Sequence, residues 1–370
     1  MLLLLLTIIL YLLYSGLLLR FWYFWKKLTF FTPRQPGSVK LTVIIPARNE
    51  EKNIGVLLQA LEQQSYPSSL TEIIVIDDHS TDRTAAIVES FPDVNLIRLQ
   101  EEGINSYKKK AIEKGIDAAK GELIVTTDAD CIPGKDWLKM IAAFKEEKQA
   151  VFIAAPVVFS HDHSVLQVFQ SLDFMILQGI TAASVNSGAL SMCNGANMAY
   201  TKTAFTEVHG FTGIDQLASG DDMLLMHKIS SRFPGQTHFL FAKEAIMTTA
   251  PMQNWNAFFN QRIRWASKAR SYSDKRIFAV LLLVYLFNLS FAVLFIAGFI
   301  ENKYWLALAA AWIAKTLVEL PFVTGVARFF EKQSLMKYFF FFQPLHILYT
   351  ILSGLLGQFG TYEWKGRKVK

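Results

Sequence analysis

Cysteine is scarce in this chain. Of 370 residues only Cys131 and Cys193 are cysteine, no Cys-x-x-Cys pair occurs, and the seven histidines are scattered. That pattern argues against a disulfide framework or a zinc site and fits a reducing compartment. Repeats and low-complexity tracts are missing between residues 40 and 270, so this stretch reads as one globular unit with a substantial core. The first residues lack a basic leader and a small-residue cleavage site, so the apolar run there reads as a retained anchor, not a removed signal. An acidic excess is lacking too: 37 basic side chains outnumber 31 acidic ones, for a net charge of +6. Much of that surplus flanks apolar segments, at Lys26, Lys27, Arg34, Lys40 and the tail Lys365 to Lys370. Anionic lipid accounts for such charges more simply than nucleic acid, and no nucleic-acid partner is expected.

Apolar residues are abundant. The chain is 52% hydrophobic and 14% aromatic, with a mean hydropathy of +0.27. That exceeds an ordinary soluble protein, and the excess lies at the two ends. Leu2 to about Trp25 is almost wholly apolar, and roughly 20 such residues cross a bilayer. The run closes on Phe21-Trp22-Tyr23-Phe24-Trp25 and then Lys26-Lys27, aromatics followed by cations, as at a cytoplasmic interface. Residues 1–27 therefore read as a membrane anchor. Apolar segments at about 277–300, 304–327 and 338–360 form a C-terminal membrane region of two to three helices. Glu301-Asn302-Lys303 demands a tight hairpin between the first two, and Lys315 and Glu319 can pair on one helix face, docking it on a neighbour. Four full spans would leave residues 361–370 outside, yet Trp364-Lys365-Gly366-Arg367-Lys368 is basic and belongs inside. One segment is thus expected to be re-entrant or interfacial. The candidate is 338–360, interrupted by Pro344, Gly354, Gly357 and Gly360.

Between the apolar ends, strand and helix patterns alternate. Strands are predicted at Leu41 to Ile45, Ile73 to Ile76, Asn95 to Leu99 and Leu123 to Thr127. Helices are predicted at Glu50 to Gln64, Asp82 to Ser90 and Lys108 to Lys120. Such alternation predicts an α/β unit over 40–270, Rossmann-like, with a mostly parallel sheet and helices on both faces. Ligands of such folds bind at the carboxyl ends of the strands. Pro46-Ala47-Arg48-Asn49, Asp77-Asp78 and Asp128 to Asp130 all fall at such ends. The first half is therefore expected to bind a nucleotide, and 150–270 to supply acceptor and catalytic parts.

The chemistry lies in three acidic clusters, Asp77-Asp78, Asp128-Ala129-Asp130 and Asp221-Asp222, followed by Gln261-Arg262-Ile263-Arg264-Trp265. Asp128 and Asp130 point to the same side of an extended tripeptide. Hard cations such as Mg²⁺ or Mn²⁺ accept one or two carboxylates plus phosphates and waters. On a helix Gln261, Arg264 and Trp265 share a face. Arg264 offers a fork for a pyrophosphate, and Trp265 a flat surface for an acceptor. Two adjacent acids at 221–222 can also cap a helix beginning near Met223.

Val43-Ile44-Ile45-Pro46-Ala47-Arg48-Asn49-Glu50 and Val75-Ile76-Asp77-Asp78-His79-Ser80-Thr81-Asp82 resemble the opening of the family-two inverting glycosyltransferases. Thr127-Asp128-Ala129-Asp130, Asn194-Gly195-Ala196-Asn197, Gly220-Asp221-Asp222 and Gln261-x-x-Arg264-Trp265 match in the same order, over roughly 41–270. The resemblance implies a GT-A fold, a nucleotide-sugar donor and a Mg²⁺ or Mn²⁺ cofactor. It assigns Asp77 and Asp78 to base and ribose, with Pro46, Ala47, Arg48 and Glu50 lining that pocket. A carboxylate that accepts from a uracil N–H favours UDP. Lys108 matches a family lysine near the nucleotide, although the usual glycine before it is absent. Asp130 is the implied metal ligand, with Asp128 on ribose or metal. Asp222 is the implied general base, and Asp221 stands where glutamate is common.

These readings combine into a multi-pass cell-membrane enzyme with its catalytic domain in the cytoplasm. The Gln-x-x-Arg-Trp signature occurs in polysaccharide synthases and in enzymes that glucosylate lipids. Four hydrophobic segments are too few for one chain to enclose a polymer-conducting pore, and Ser267 to Arg276 is a short tether to the membrane. A lipid acceptor is therefore expected first. A polysaccharide synthase subunit, with a glycan acceptor and a partner subunit, is the second reading. A non-catalytic scaffold or transporter is disfavoured because every expected acid is present.

Overall fold

A computed structural model describes residues 1–160, 163–189, 192–217, 219–267, 274–358, 362–364 and 367–369. In chain order the helices are α1 (Leu2–Lys26), α2 (Ile54–Glu62), α3 (Thr84–Glu89), α4 (Tyr107–Ala118), α5 (Trp137–Lys148), α6 (Val165–Asn186), α7 (Lys202–Glu207), α8 (Met223–Arg232), α9 (Trp255–Ser267), α10 (Lys275–Gly298), α11 (Lys303–Phe329) and α12 (Met336–Leu356). The strands are β1 (Leu41–Ala47), β2 (Thr71–Asp77), β3 (Val94–Arg98), β4 (Leu123–Thr126), β5 (Cys131–Pro133), β6 (Phe152–Ala154), β7 (Val157–Phe159), β8 (Met198–Thr201), β9 (Thr237–Phe239) and β10 (Met247–Thr249), then two short C-terminal strands. Contacts divide the chain into two compact units. One is Leu28–Ser160, Ser184–Ala250 and Glu363–Lys370; the other is Met1–Lys27, His161–Ala183 and Pro251–Tyr362. The division does not follow sequence order, since α9 and most of α6 group with the apolar helices. Residues 268–273 of the tether, Gly360, Lys365 and Gly366 lie outside the described residues.

The first unit is α/β. Its seven-stranded sheet runs β3-β2-β1-β4-β8-β6-β9. Strands β3, β2, β1 and β4 are mutually parallel, as are β6 and β9, while β8 runs antiparallel to β4 and β6. Central strands are covered on both faces and so read as unbroken apolar runs. Val43, Ile44, Ile45, Ile74, Val75, Ile76, Leu123, Ile124 and Val125 are all fully buried. Pro46 is tolerated in a central strand because β4 stops at Thr126, opposite Ile44, so beyond that point one side of β1 carries no ladder. A second sheet, β5-β10-β7, belongs to the same unit.

The second unit is helical. Helices α1, α6, α10, α11 and the one ending at Leu356 are each long and apolar enough to cross a membrane. Helix α6 stands apart from the rest: 78% of its apolar stretch is buried, against 17% to 33% in the other four. Trp25 of α1 packs edge-on against Phe322 and Phe329 of α11. Lys315 and Glu319 pair at 2.6 Å, as their spacing predicts. Gln343 of α12 and the Tyr14 hydroxyl of α1 complete a buried network around Glu319. Helix α12 runs unbroken through Pro344 and Gly354.

Candidate active site

Parallel pairing sets Ala47 beside Asp77 and Ile44 beside Thr126. The loops that follow β1, β2 and β4 therefore leave the same edge of the sheet. Arg48 stitches two of them: its Nη1 donates to the carbonyls of Asp78 (2.7 Å) and His79 (3.0 Å). Asn49 has a left-handed φ of 53°, and its side-chain oxygen accepts from Thr81 N at 2.8 Å. Glu50 is buried, accepting from Asn53 Nδ2 at 2.6 Å. Asp77 and Asp78 are buried at the tip of β2. Asp77 Oδ1 accepts from Ser80 N at 3.2 Å, and Asp78 Oδ1 lies 3.0 Å from His79 Nδ1.

Lys108, at the start of α4, joins two of the acidic clusters. Its ammonium lies 2.7 Å from Asp128 Oδ1 and 3.0 Å from Asp221 Oδ2. Burial alone would lower its pKa, but the charges of Asp128 and Asp221, the hydrogen bond to Asp128 and the charge of Asp222 outweigh it, so the pKa is raised. Asp222 is the N-cap of α8. Its Oδ1 accepts from Met223 N at 2.7 Å and its Oδ2 from Gly195 N at 3.3 Å. The Asn194-Gly195 motif has a steric reason: a Cβ at Gly195 would meet Asp221 Oδ2 at 3.2 Å and Lys108 Nζ at 3.3 Å. Asn197, by contrast, is wholly structural in its contacts. It is fully buried, donates to the carbonyls of Pro156 and Ala245, and accepts from Trp137 Nε1.

Asp128 and Asp130 are half-buried beyond β4. Their donors are hard oxygens. The neighbouring thiol of Cys131 is held protonated by burial first and then by the charges of Asp130 and Asp128, which disfavours a soft thiolate site. Among the described residues no three His, Cys, Asp or Glu side chains converge to hold a metal by themselves. Two carboxylates of this kind fit a magnesium-like ion whose remaining ligands come from phosphate and water.

In the other unit, α9 carries Gln261, Arg264 and Trp265, all half-buried. Sequence reasoning passed over Arg262 between them. It is 3% exposed, donates from Nη2 to Asp173 Oδ2 at 2.7 Å and from Nη1 to Gln261 Oε1 at 3.0 Å. Its guanidinium also lies over the rings of Trp265 (4.2 Å) and Phe258 (4.8 Å). The signal was present: Phe258 and Arg262 are four apart on one buried stripe. The Arg264 side chain has no partner among the described residues.

Comparison with known proteins joins these observations. Residues 42–208 match the family described as Glycosyl transferase family 2. Over that stretch the chain is similar to family-two glycosyltransferases. It is similar to the poly-beta-1,6-N-acetyl-D-glucosamine synthase of Staphylococcus epidermidis, 23% identical over 61% of this chain and 53% of that one. It is also similar to the beta-monoglucosyldiacylglycerol synthase of Synechocystis, 29% identical over 28% of this chain and 22% of that one. The chain spans about half the length, or less, of these curated relatives. Among solved structures it is similar to a mannosyltransferase of Pyrobaculum calidifontis in complex with GDP-Man and Mn²⁺. That match has 19% identity and a TM-score of 0.58, covering 94% of this chain and 95% of that one. The α/β unit is therefore GT-A-like, as the resemblance implied, with the mostly parallel sheet that the strand alternation predicted.

Proposed function

We propose that this chain is a membrane-bound, metal-dependent inverting glycosyltransferase that moves a sugar from a UDP-sugar to a lipid acceptor at the cytoplasmic leaflet. The observation that carries the reading is the cluster in which the Lys108 ammonium joins Asp128 to Asp221, beside the capped carboxylate of Asp222. Asp77 and Asp78, fixed by the loops that Arg48 stitches together, receive the base and ribose, with Pro46, Ala47 and Glu50 lining the same pocket. Asp130 and Asp128 would hold Mg²⁺ or Mn²⁺, which when bound neutralises charge on the leaving diphosphate. Lys108 adds a fixed positive charge to the same region. Asp222 takes the proton of the acceptor hydroxyl as that oxygen attacks the anomeric carbon and the nucleotide diphosphate leaves from the opposite face. Two backbone N–H groups hold its carboxylate in place for that step. Arg264, with no side-chain partner among the described residues, has the fork geometry for a diphosphate, and Gln261 and Trp265 beside it on α9 suit an acceptor.

The relative that makes monoglucosyldiacylglycerol supports a lipid acceptor. A second reading, the catalytic subunit of a polysaccharide synthase, is favoured by the longer match to a poly-N-acetylglucosamine synthase. One assay separates them: the purified full chain is incubated with labelled UDP- and GDP-sugars and membrane lipid, and products are partitioned into organic solvent. Label on a lipid bearing one or very few sugars supports the first reading. A long polymer, made alone or with an added partner, supports the second. No transfer from any donor refutes both.

A further inference from the structure

Three lysines open α4, and the middle one is not solvated. Lys109 is 2% exposed. Its ammonium donates to the carbonyls of Ile214 (2.5 Å), Leu217 (2.7 Å) and Ser219 (3.0 Å). Ser106 adds a hydroxyl donor to the same Leu217 carbonyl at 2.7 Å. On the far side Lys228 of α8 donates to the carbonyls of Gly210 (2.6 Å) and Thr212 (2.9 Å). Ser219, held by Lys109, directly precedes Gly220, whose φ of +86° turns the chain into Asp221 and Asp222. Consecutive residues of one helix thus hold the acid segment twice, Lys108 by the Asp221 side chain and Lys109 by the backbone that carries it.

We propose that Lys109 is a positioning residue for sugar transfer, fixing the backbone at Ile214, Leu217 and Ser219 so that the Asp222 carboxylate is presented in one place. A buried ammonium with three carbonyl partners is a costly device for simple loop packing, because its desolvation is offset only while all three bonds are made. Misplacing a catalytic group by about 1 Å costs on the order of 100-fold in rate. This inference rests on reading Asp222 as the base.

The test uses the full chain in detergent with Lys109→Met and Lys109→Arg. In Lys109→Met, amides of 214–222 should exchange faster with solvent while the rest of the chain is unchanged. The turnover number kcat should fall about 100-fold, while KM for the sugar donor and the Kd for UDP with Mn²⁺ stay within about threefold. Lys109→Arg should recover part of both losses. If Lys109→Met does not fold, Ser106→Ala carries the test, with a smaller fall in kcat at unchanged KM. Unaltered exchange at 214–222, a wild-type kcat in Lys109→Met, or equal losses in kcat and donor affinity would overturn the proposal. A wild-type chain that transfers no sugar would instead refute the functional reading, and the exchange data would still decide whether Lys109 orders this segment.

Discussion

Lys108 and Lys315 both sit among carboxylates, one in each compact unit, and their surroundings differ. Lys315 is 1% exposed and donates to Glu319 (2.6 Å) and Gln343 (2.5 Å). Gln343 donates back to Glu319 at 2.5 Å, and the Tyr14 hydroxyl donates to it as well. One cation meets one anion, the remaining polar atoms answer one another, and three helices are fastened. Lys108 is only half-buried and meets Asp128 and Asp221, with Asp222 capping α8 beside them and Asp130 two residues from Asp128. One cation there stands against four acids, and the Asp128 side chain is 37% exposed. A neutral, closed network holds a structure together, whereas an open and negatively charged one attracts a ligand that brings a cation.

Asp222→Asn should have the largest effect, a loss of about 10²–10⁴ in transfer rate, with UDP and Mn²⁺ binding nearly intact by calorimetry. Near-normal turnover would move the base elsewhere, with Asp221 the first suspect. Next is Lys315→Met, which strands Glu319 and should lower stability by about 3–5 kcal/mol, read as a drop in Tm. The folded fraction should keep its kcat, and Lys315→Met with Glu319→Met should regain most of the loss. Lys108→Met should do the reverse, costing about 1–3 kcal/mol in kcat/KM and less in stability than Lys315→Met. A large stability loss with no catalytic loss would make the two lysines alike and break the contrast.

The smallest effect is a flat pH response. The Lys108 pKa is raised, and a base whose folded pKa exceeds its unfolded value contributes stability that is complete below the unfolded value of about 10.4 and is lost only as pH rises through the folded one. Melting curves between about pH 6 and 9 should therefore show Lys108→Met changing the level of Tm but not its slope.

Much of the α/β unit is legible in the sequence because its strands are buried on both faces. Leu41 to Ile45 and Ile73 to Ile76 are unbroken apolar runs, and Asp77 stands where such a run must end. Strand β8 was harder, since the reversal between β4 and β6 depends on partners distant in sequence. Helix α6 has the composition of a span but is mostly buried, a property of its neighbours rather than of its residues. Lys109 escaped notice because its partners are backbone carbonyls, which no side-chain pattern records. Its position did carry a hint, since Lys109, Ile112 and Ile116 fall on one helical stripe and all three are buried. Arg262 was hidden for a different reason: its main partner, Asp173, is 89 residues away in sequence, and it fills an unassigned place inside the Gln-x-x-Arg-Trp signature.

The central claim is that the acids around Lys108 form the donor site, completed by a divalent cation. Binding of UDP to the full chain, measured by calorimetry with Mn²⁺, with EDTA, and in Asp130→Asn, tests this most directly. The prediction is binding that requires Mn²⁺ and is lost in Asp130→Asn, while Lys315→Met with Glu319→Met leaves it unchanged. Equal binding of UDP in EDTA, or undiminished Mn²⁺-dependent binding in Asp130→Asn, would contradict it.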